Sequence, residues 1–303
     1  MGNRRQFIKQ IGIGLGAVGL GSQHLFASSV KERCITILHT NDVHSHLESF
    51  SKTHHRYPGM GGAAKRASLI QKIRQTHKNV VLLDAGDMFQ GTPYFNFFNG
   101  EPEIKLMNAM KYDAATIGNH DFDLGSNNLA LQLQKANFDV VNANYEIKNT
   151  DLSAQIFDYT VLQRADISIG VFGLGIDLTP LVDPDHIDQL QYTDPIEIAN
   201  RTARYLREEK RCHIVICLSH LGYKYDSAKI SDIVLAKNSE EIDLIIGGHT
   251  HTFLNEPTII QNKQSKNVRV AQSGWAGIEL GKIDLILGEK KEILNAKGLS
   301  IPV

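Results

Sequence analysis

Short apolar runs rich in β-branched residues recur along this chain and alternate with longer segments of a different period. Ile35–Leu38, Val80–Leu83, Ala114–Ile117, Val140–Val141, Ile214–Leu218 and Leu244–Ile246 have the composition of strands. Between them, Ala64–Arg74, Glu103–Met110, Leu129–Lys135 and Pro195–Lys210 carry apolar residues three and four apart, the spacing of one helix face. Thr193-Asp194-Pro195 is a helix start, with Pro195 in the first turn, where its missing N–H is harmless. Tyr159–Leu162 and Ser168–Leu174, joined by a short polar link, predict a hairpin. Arg269–Gln272 and Ile278–Leu287 return to the strand pattern. No low-complexity linker or internal repeat interrupts the alternation, so the pattern predicts one α/β domain.

Composition changes this picture in two places. With 303 residues, 42% hydrophobic and 21% charged, the chain can bury a sizeable core. Its formal net charge of −1 gives no electrostatic basis for a nucleic-acid polymer or an anionic membrane surface as partner. There are 13 histidines against a single Trp and 3 cysteines, a first hint of metal chemistry. Cys34, Cys212 and Cys217 are odd in number and lack CxxC spacing, so neither a zinc knuckle nor a disulfide framework is indicated. All three read as structural.

The first residues follow other rules. Arg4-Arg5-Gln6-Phe7-Ile8-Lys9 precedes a glycine-diluted apolar stretch from Ile11 to Leu20, and small residues follow at Ala27, Ser28 and Ser29. These are the three parts of an export signal. The ten-residue apolar core is too short for a transmembrane helix. The paired arginines resemble a twin-arginine signal, which implies export to the periplasm and a mature chain over residues 30–303. Losing the three cations Arg4, Arg5 and Lys9 with residues 1–29 takes the formal charge from −1 to −4.

Five of the predicted strands run into polar residues of one chemical kind. They are His39-Thr40-Asn41-Asp42-Val43-His44, Asp84-Ala85-Gly86-Asp87, Gly118-Asn119-His120-Asp121, Ser219-His220 and Gly247-Gly248-His249-Thr250-His251. Ligand sites in open α/β sheets lie beyond the carboxyl ends of the strands, so these clusters converge if the strands are parallel neighbours. Asp, Asn and His are donors for divalent first-row metals. Any one of these histidines alone would be an ordinary loop residue; five such ends in order are not.

Asp-x-His, Gly-Asp, Gly-Asn-His-Asp, Ser-His and Gly-His-Thr-His, in that order, resemble the signature of the calcineurin-like metallophosphoesterases. The closer likeness is to 5′-nucleotidases, through Asp87-Met88-Phe89-Gln90-Gly91-Thr92-Pro93, through Met107-Asn108 with Tyr112-Asp113, and through Gly118-Asn119-His120-Asp121-Phe122-Asp123. Gly61-Gly62-Ala63-Ala64-Lys65-Arg66 adds to it, and the resemblance spans roughly residues 34–287. It implies a single-domain α/β sandwich of two mixed sheets flanked by helices.

The same resemblance implies a pair of divalent metals. Asp42, His44, Asp87 and His251 would hold one, and Asp87 would bridge to a second completed by Asn119, His220 and His249. With four histidines in that set, manganese, zinc, iron or cobalt suits the site better than magnesium or calcium. Paired metals activate a bridging water and clamp phosphoryl oxygens. His120, paired with Asp123, is implied as the group that protonates the leaving alkoxide. Asp121 reads as a support for the loop, and His46 and Asp84 as neighbours rather than ligands.

The implied activity is hydrolysis of phosphate monoesters, with nucleoside 5′-monophosphates or related nucleotides as the small-molecule partner. Alternatives are a cyclic-nucleotide phosphodiesterase, a UDP-sugar hydrolase, a thiosulfohydrolase, or a non-catalytic metal-binding half of a complex. The resemblance implies a nucleobase-stacking domain not found before Val303, so the expectation is either that a separate polypeptide supplies it or that the enzyme is promiscuous among leaving groups. Trp275, in a glycine-rich turn, fits either packing of that turn or contact with a leaving group.

Overall fold

A computed structural model describes residues 33–187 and 190–303. Its strands are β1 (Arg33–Thr40), β2 (Val80–Asp84), β3 (Ala114–Ala115), β4 (Asp139–Val141), β5 (Tyr145–Glu146), β6 (Ile156–Phe157), β7 (Tyr159–Arg164) and β8 (Ile167–Leu174). They continue with β9 (Gln191–Tyr192), β10 (Ile214–Ser219), β11 (Leu244–Gly247), β12 (Thr258–Gln261), β13 (Asn267–Ala271), β14 (Glu279–Leu287) and β15 (Ile293–Pro302). The helices are α1 (Ala63–Thr76), α2 (Pro93–Phe98), α3 (Glu101–Met110), α4 (Gly125–Leu133), α5 (Pro195–Glu208) and α6 (Asp232–Asn238).

Two mixed sheets result. The first runs β15-β14-β1-β2-β3-β4-β6, the second β12-β13-β11-β10-β8-β7. β1, β2, β3, β4 and β6 are mutually parallel, as are β8, β10, β11 and β13. Antiparallel partners close the edges, β14 and β15 on one sheet, β7 and β12 on the other.

The period-2 geometry of a strand divides its side chains between two faces, and here both faces are covered. Ile35, Ile37, Val81 and Leu83 of the first sheet meet Val171, Ile216, Leu218 and Ile246 of the second in one buried layer. On the opposite face of the first sheet, Leu38 and Leu82 pack under Ile70, Ile104, Met107 and Leu129 of the helices. Phe172, Val215, Cys217 and Ile245 do the same beneath Ala199, Ala203 and Leu206 of α5 and Leu235 of α6. The fold is therefore a four-layer α/β sandwich. Each such buried aliphatic side chain contributes about 1.5–3 kcal/mol relative to exposure. Cys212 and Cys217 are buried members of the outer layer, which agrees with a packing role.

The α5 start matches its sequence signature: the Asp194 carboxylate accepts from the N–H groups of Ile196 and Glu197, with Pro195 at the first helical position. Other boundaries differ from the pattern. The ladder of β3 stops after Ala115, because Gly118 N turns from the sheet to donate to Asp121. α4 begins at Gly125 rather than near Leu129, since poor helix formers at Ser126, Asn127 and Asn128 hide a turn that tertiary packing stabilises. β15 escapes a pattern search because it is an edge strand, partly solvated along its length. The export-signal expectation over residues 1–29 falls outside the described residues. Among those described, no helix is long and apolar enough to cross a membrane.

Candidate metal centre

The parallel strands of both sheets end along one edge, and the polar clusters meet there. Asp42 and His44 follow β1, Asp87 follows β2 and Asn119 follows β3. From the facing sheet, His220 follows β10, and His249 and His251 follow β11. The backbone is bent hard to bring them together. Asp42, His44, Asp87, His249 and His251 all have positive φ, between 49° and 69°. Left-handed conformations outside glycine cost of the order of 1–3 kcal/mol each and persist only where the surroundings impose them. Their concentration at five of seven candidate ligands marks a place where stability is given up for geometry.

Asp42, His44 and His251 form one group whose ligating atoms lie within 4.8 Å of one another; Asp87, His220 and His249 form a second. His44 Nε2 is 3.0 Å from His251 Nε2 and 3.6 Å from Asp87 Oδ2. His220 Nε2 is 3.1 Å from the same Asp87 oxygen. Asp87 thus stands between the two groups. His249 Nδ1 lies 2.8 Å from Asn119 Oδ1, which brings the asparagine into the second group.

The orientation of the rings suits ions. His44 Nδ1–H donates to the Gln90 carbonyl and His220 Nδ1–H to the Ala85 carbonyl, so each turns the Nε2 lone pair inward. His220 Nε2 is fully buried, with the Asp87 carboxylate 3.1 Å away. Imidazole nitrogens and carboxylates converging this closely are the donor set of a metal site, and the residues fit such a group. Gly118 shows how tight the arrangement is: a Cβ there would come 2.2 Å from Asp87 Oδ1 and 2.6 Å from His220 Nε2.

The charged groups of the pocket act strongly on one another. Burial opposes charge on His220, but the Asp87 and Asp42 carboxylates outweigh it and push its pKa up to about 10. Burial would raise the Asp87 pKa, yet the charges of His220, His44 and His120 hold it well below the usual carboxylate range. Burial and the His220 charge lower His249 to about 4, leaving a neutral imidazole.

His120 stands at the mouth. Its Nδ1–H donates to Asp123 Oδ2 at 3.0 Å, and its ring lies edge-on to His44 with centroids 5.2 Å apart. Its pKa is raised by the Asp123 hydrogen bond against the effect of burial. Asp121 is fully buried and accepts from the N–H groups of Asp87, Phe89 and Gly118, so it ties the β2 and β3 loops together. Burial and the nearby Asp87 charge lift its pKa to about 7. The Asp84 carboxylate is taken up by hydrogen bonds from Thr40 Oγ1 and Gly86 N. His46 stacks on Phe50. Trp275 lies flat on His251, centroids 5.6 Å apart and planes 6° apart.

Two supports were not evident from sequence. Asn41 donates to Asp42 Oδ2 and to the Gly274 carbonyl while accepting from Ser273. Gln272 donates to the Gly248 carbonyl and accepts from Thr252 N, spanning the His249–His251 loop. The only signal for Asn41 was its place in the first polar cluster; Gln272 carried none.

A sandwich of this kind, with two such groups at the joint carboxyl edge, defines a metal-dependent phosphoester hydrolase domain. Residues 35–253 match the family model described as calcineurin-like phosphoesterase, and the chain belongs to that family. It is 33% identical over 284 residues to the snake venom 5′-nucleotidase of Crotalus adamanteus, covering 87% of this chain and 47% of that protein. Identity to the human 5′-nucleotidase is 32% over 294 residues, with 87% and 48% covered. Among solved structures, a 5′-nucleotidase precursor from Thermus thermophilus superposes with a TM-score of 0.81 at 32% identity, covering 89% of this chain and 55% of that one. The chain spans about half the length of the curated relatives it matches.

Proposed function

We propose that this domain hydrolyses phosphate monoesters, with nucleoside 5′-monophosphates as the substrate class, using two divalent ions. The observation that carries the reading is the position of Asp87 between two groups of ligating atoms. Asp42, His44, His251 and Asp87 would hold one ion; Asp87, Asn119, His220 and His249 the other. The nitrogen-rich donor set favours manganese, zinc, iron or cobalt. Bound there, the ions supply an activated water and positive charge for the phosphoryl oxygens. The protein's own groups do the rest. His44 and His220 present fixed lone pairs, Asp121 holds the two loops in register, and His120 offers Nε2 toward the leaving oxygen while Asp123 fixes its ring. The names of the relatives, 5′-nucleotidases, support the substrate class.

Metal analysis of the purified chain, run beside hydrolysis of AMP, UDP-glucose and an aryl phosphate, tests this. About two ions per chain are expected, with AMP and aryl phosphate cleaved, activity lost on chelation and regained with manganese. A metal-loaded chain that cleaves UDP-glucose and spares AMP would overturn the substrate class. A chain that binds no metal would overturn the centre itself.

The reading includes export of the domain through residues 1–29. Arg4→Lys with Arg5→Lys is expected to leave precursor in the cytoplasm, as followed by fractionation. Mature protein still found outside would remove the twin-arginine assignment.

A further inference from the structure

Between Val43 and the helices α1 and α3 lies a recess of about 20 Å³, lined by apolar side chains and by Arg66, Asp84, Glu103 and Tyr112. We infer that this recess is a binding site for ordered water, and that Arg66 acts through it as a positioning residue for the loops that carry Asp42 and His44. The second half of the inference rests on the metal-centre reading; the first half does not.

The first observation is a buried cation. Arg66 is only 3% exposed, and its buried Nε and Nη1 have no hydrogen-bond partner among the described residues. A buried charge whose donors go unmet is among the costliest arrangements a fold can hold. Asp84 is near enough to feel that charge: burial raises its pKa to about 7, and Arg66 opposes the rise. Donors from the guanidinium and acceptors from the Asp84 and Glu103 carboxylates are the partners that a bound water needs. A volume of about 20 Å³ is room for about one such molecule. Two carboxylates beside the guanidinium disfavour an anion in the same place.

The second observation is where these side chains are fastened. Glu103 accepts from Ser45 Oγ, next to His44. Asp84 accepts from Gly86 N, next to Asp87, and from Thr40 Oγ1, which is also bonded to Tyr112 Oη. Arg66 Nη1 lies against Gly277, where a Cβ would come within 1.8 Å of it. The preceding residue, Ala276, donates its N–H to the Asp42 carbonyl at 2.7 Å. Water that joins Arg66 to the two carboxylates therefore closes a network across α1, α3 and the loops after β1, β2 and β13. A satisfied buried network is rigid. Rigid surroundings are what the left-handed backbone of Asp42, His44 and Asp87 requires.

A high-resolution crystal structure of the full chain, with a second crystal soaked in bromide, reads the occupant directly. A water within hydrogen-bond reach of Arg66 Nε or Nη1 and of an Asp84 or Glu103 oxygen is expected. An anomalous bromide peak in the recess, or no ordered density there, would overturn the water site. Equilibrium dialysis with manganese, run beside thermal melts, reads the positioning. Arg66→Met is expected to weaken manganese binding about tenfold or more, and Arg66→Lys, which keeps a cation with donors, should recover most of it. Leu106→Ala enlarges the recess and leaves its polar groups in place, so it should lower Tm without changing manganese binding. Unchanged binding in Arg66→Met, or an equal loss in Leu106→Ala, would remove the positioning role. Should Arg66→Met not fold, the nearly isosteric Glu103→Gln takes its place, with weaker manganese binding expected and parent-like binding overturning the role. A parent chain that binds no manganese would count against the metal-centre reading, and the crystals would still decide on the water.

Discussion

Asp87→Asn is expected to abolish turnover and to reduce bound metal while leaving the fold in place. Asparagine is nearly isosteric and tolerates the left-handed backbone that residue 87 adopts at φ 55°. The main-chain bonds at this corner, Asp87 N to Asp121 and His44 N to the Asp87 carbonyl, survive the change. What disappears is a buried anion 3.6 Å from His44 Nε2 and 3.1 Å from His220 Nε2. Asp42 would remain as the other carboxylate among the proposed ligands, so two dications would face one anion in a buried pocket, where unbalanced charge is costly. Metal analysis and circular dichroism on the variant separate loss of ions from loss of fold. A folded variant with two metals and near-normal turnover would remove Asp87 from the role of shared ligand.

The polar clusters were legible in the sequence because the parallel strands Ile35–Leu38, Val80–Leu83 and Ile214–Leu218 announce themselves as short apolar runs and everything chemical follows directly after. One edge of a sandwich then receives all five clusters, and the order of chemistry along the chain needs no knowledge of sheet order. The pairing of His120 with Asp123 was implied by the family resemblance alone; in the structure the two lie three residues apart on one short turn. The edges of the fold were not legible. β12 and β15 pair on one side only and carry half-solvated residues, so their pattern is diluted. Nor could residue types reveal the long-range supports. Asn41 reaches Gly274 and Ser273 across more than two hundred residues, and Gln272 holds a loop that precedes it. Trp275 allowed packing or recognition by sequence; its ring lies flat on His251.

His120→Ala is expected to keep both metals and to lower turnover by about 10²–10⁴-fold on alkyl phosphates, the range of a lost general acid. The metals stay because the group that braces Asp87 from this residue is its backbone: His120 N donates to Asp87 Oδ1 at 2.8 Å, and alanine retains that N–H. The ring is the part that changes. It is partly exposed at the mouth, held by Asp123 at 3.0 Å through Nδ1, which leaves Nε2 for a leaving oxygen. An alkoxide departs poorly without a proton, whereas p-nitrophenolate departs well without one. The loss should therefore shrink on p-nitrophenyl phosphate, and Asp123→Asn should show a milder form of the same selectivity, since it frees the ring without removing it. Comparing kcat for alkyl and aryl esters on one metal-loaded preparation isolates the proton from every other contribution. An equal loss on both ester classes would move His120 from the leaving group to the phosphoryl oxygens, as a cationic clamp rather than an acid.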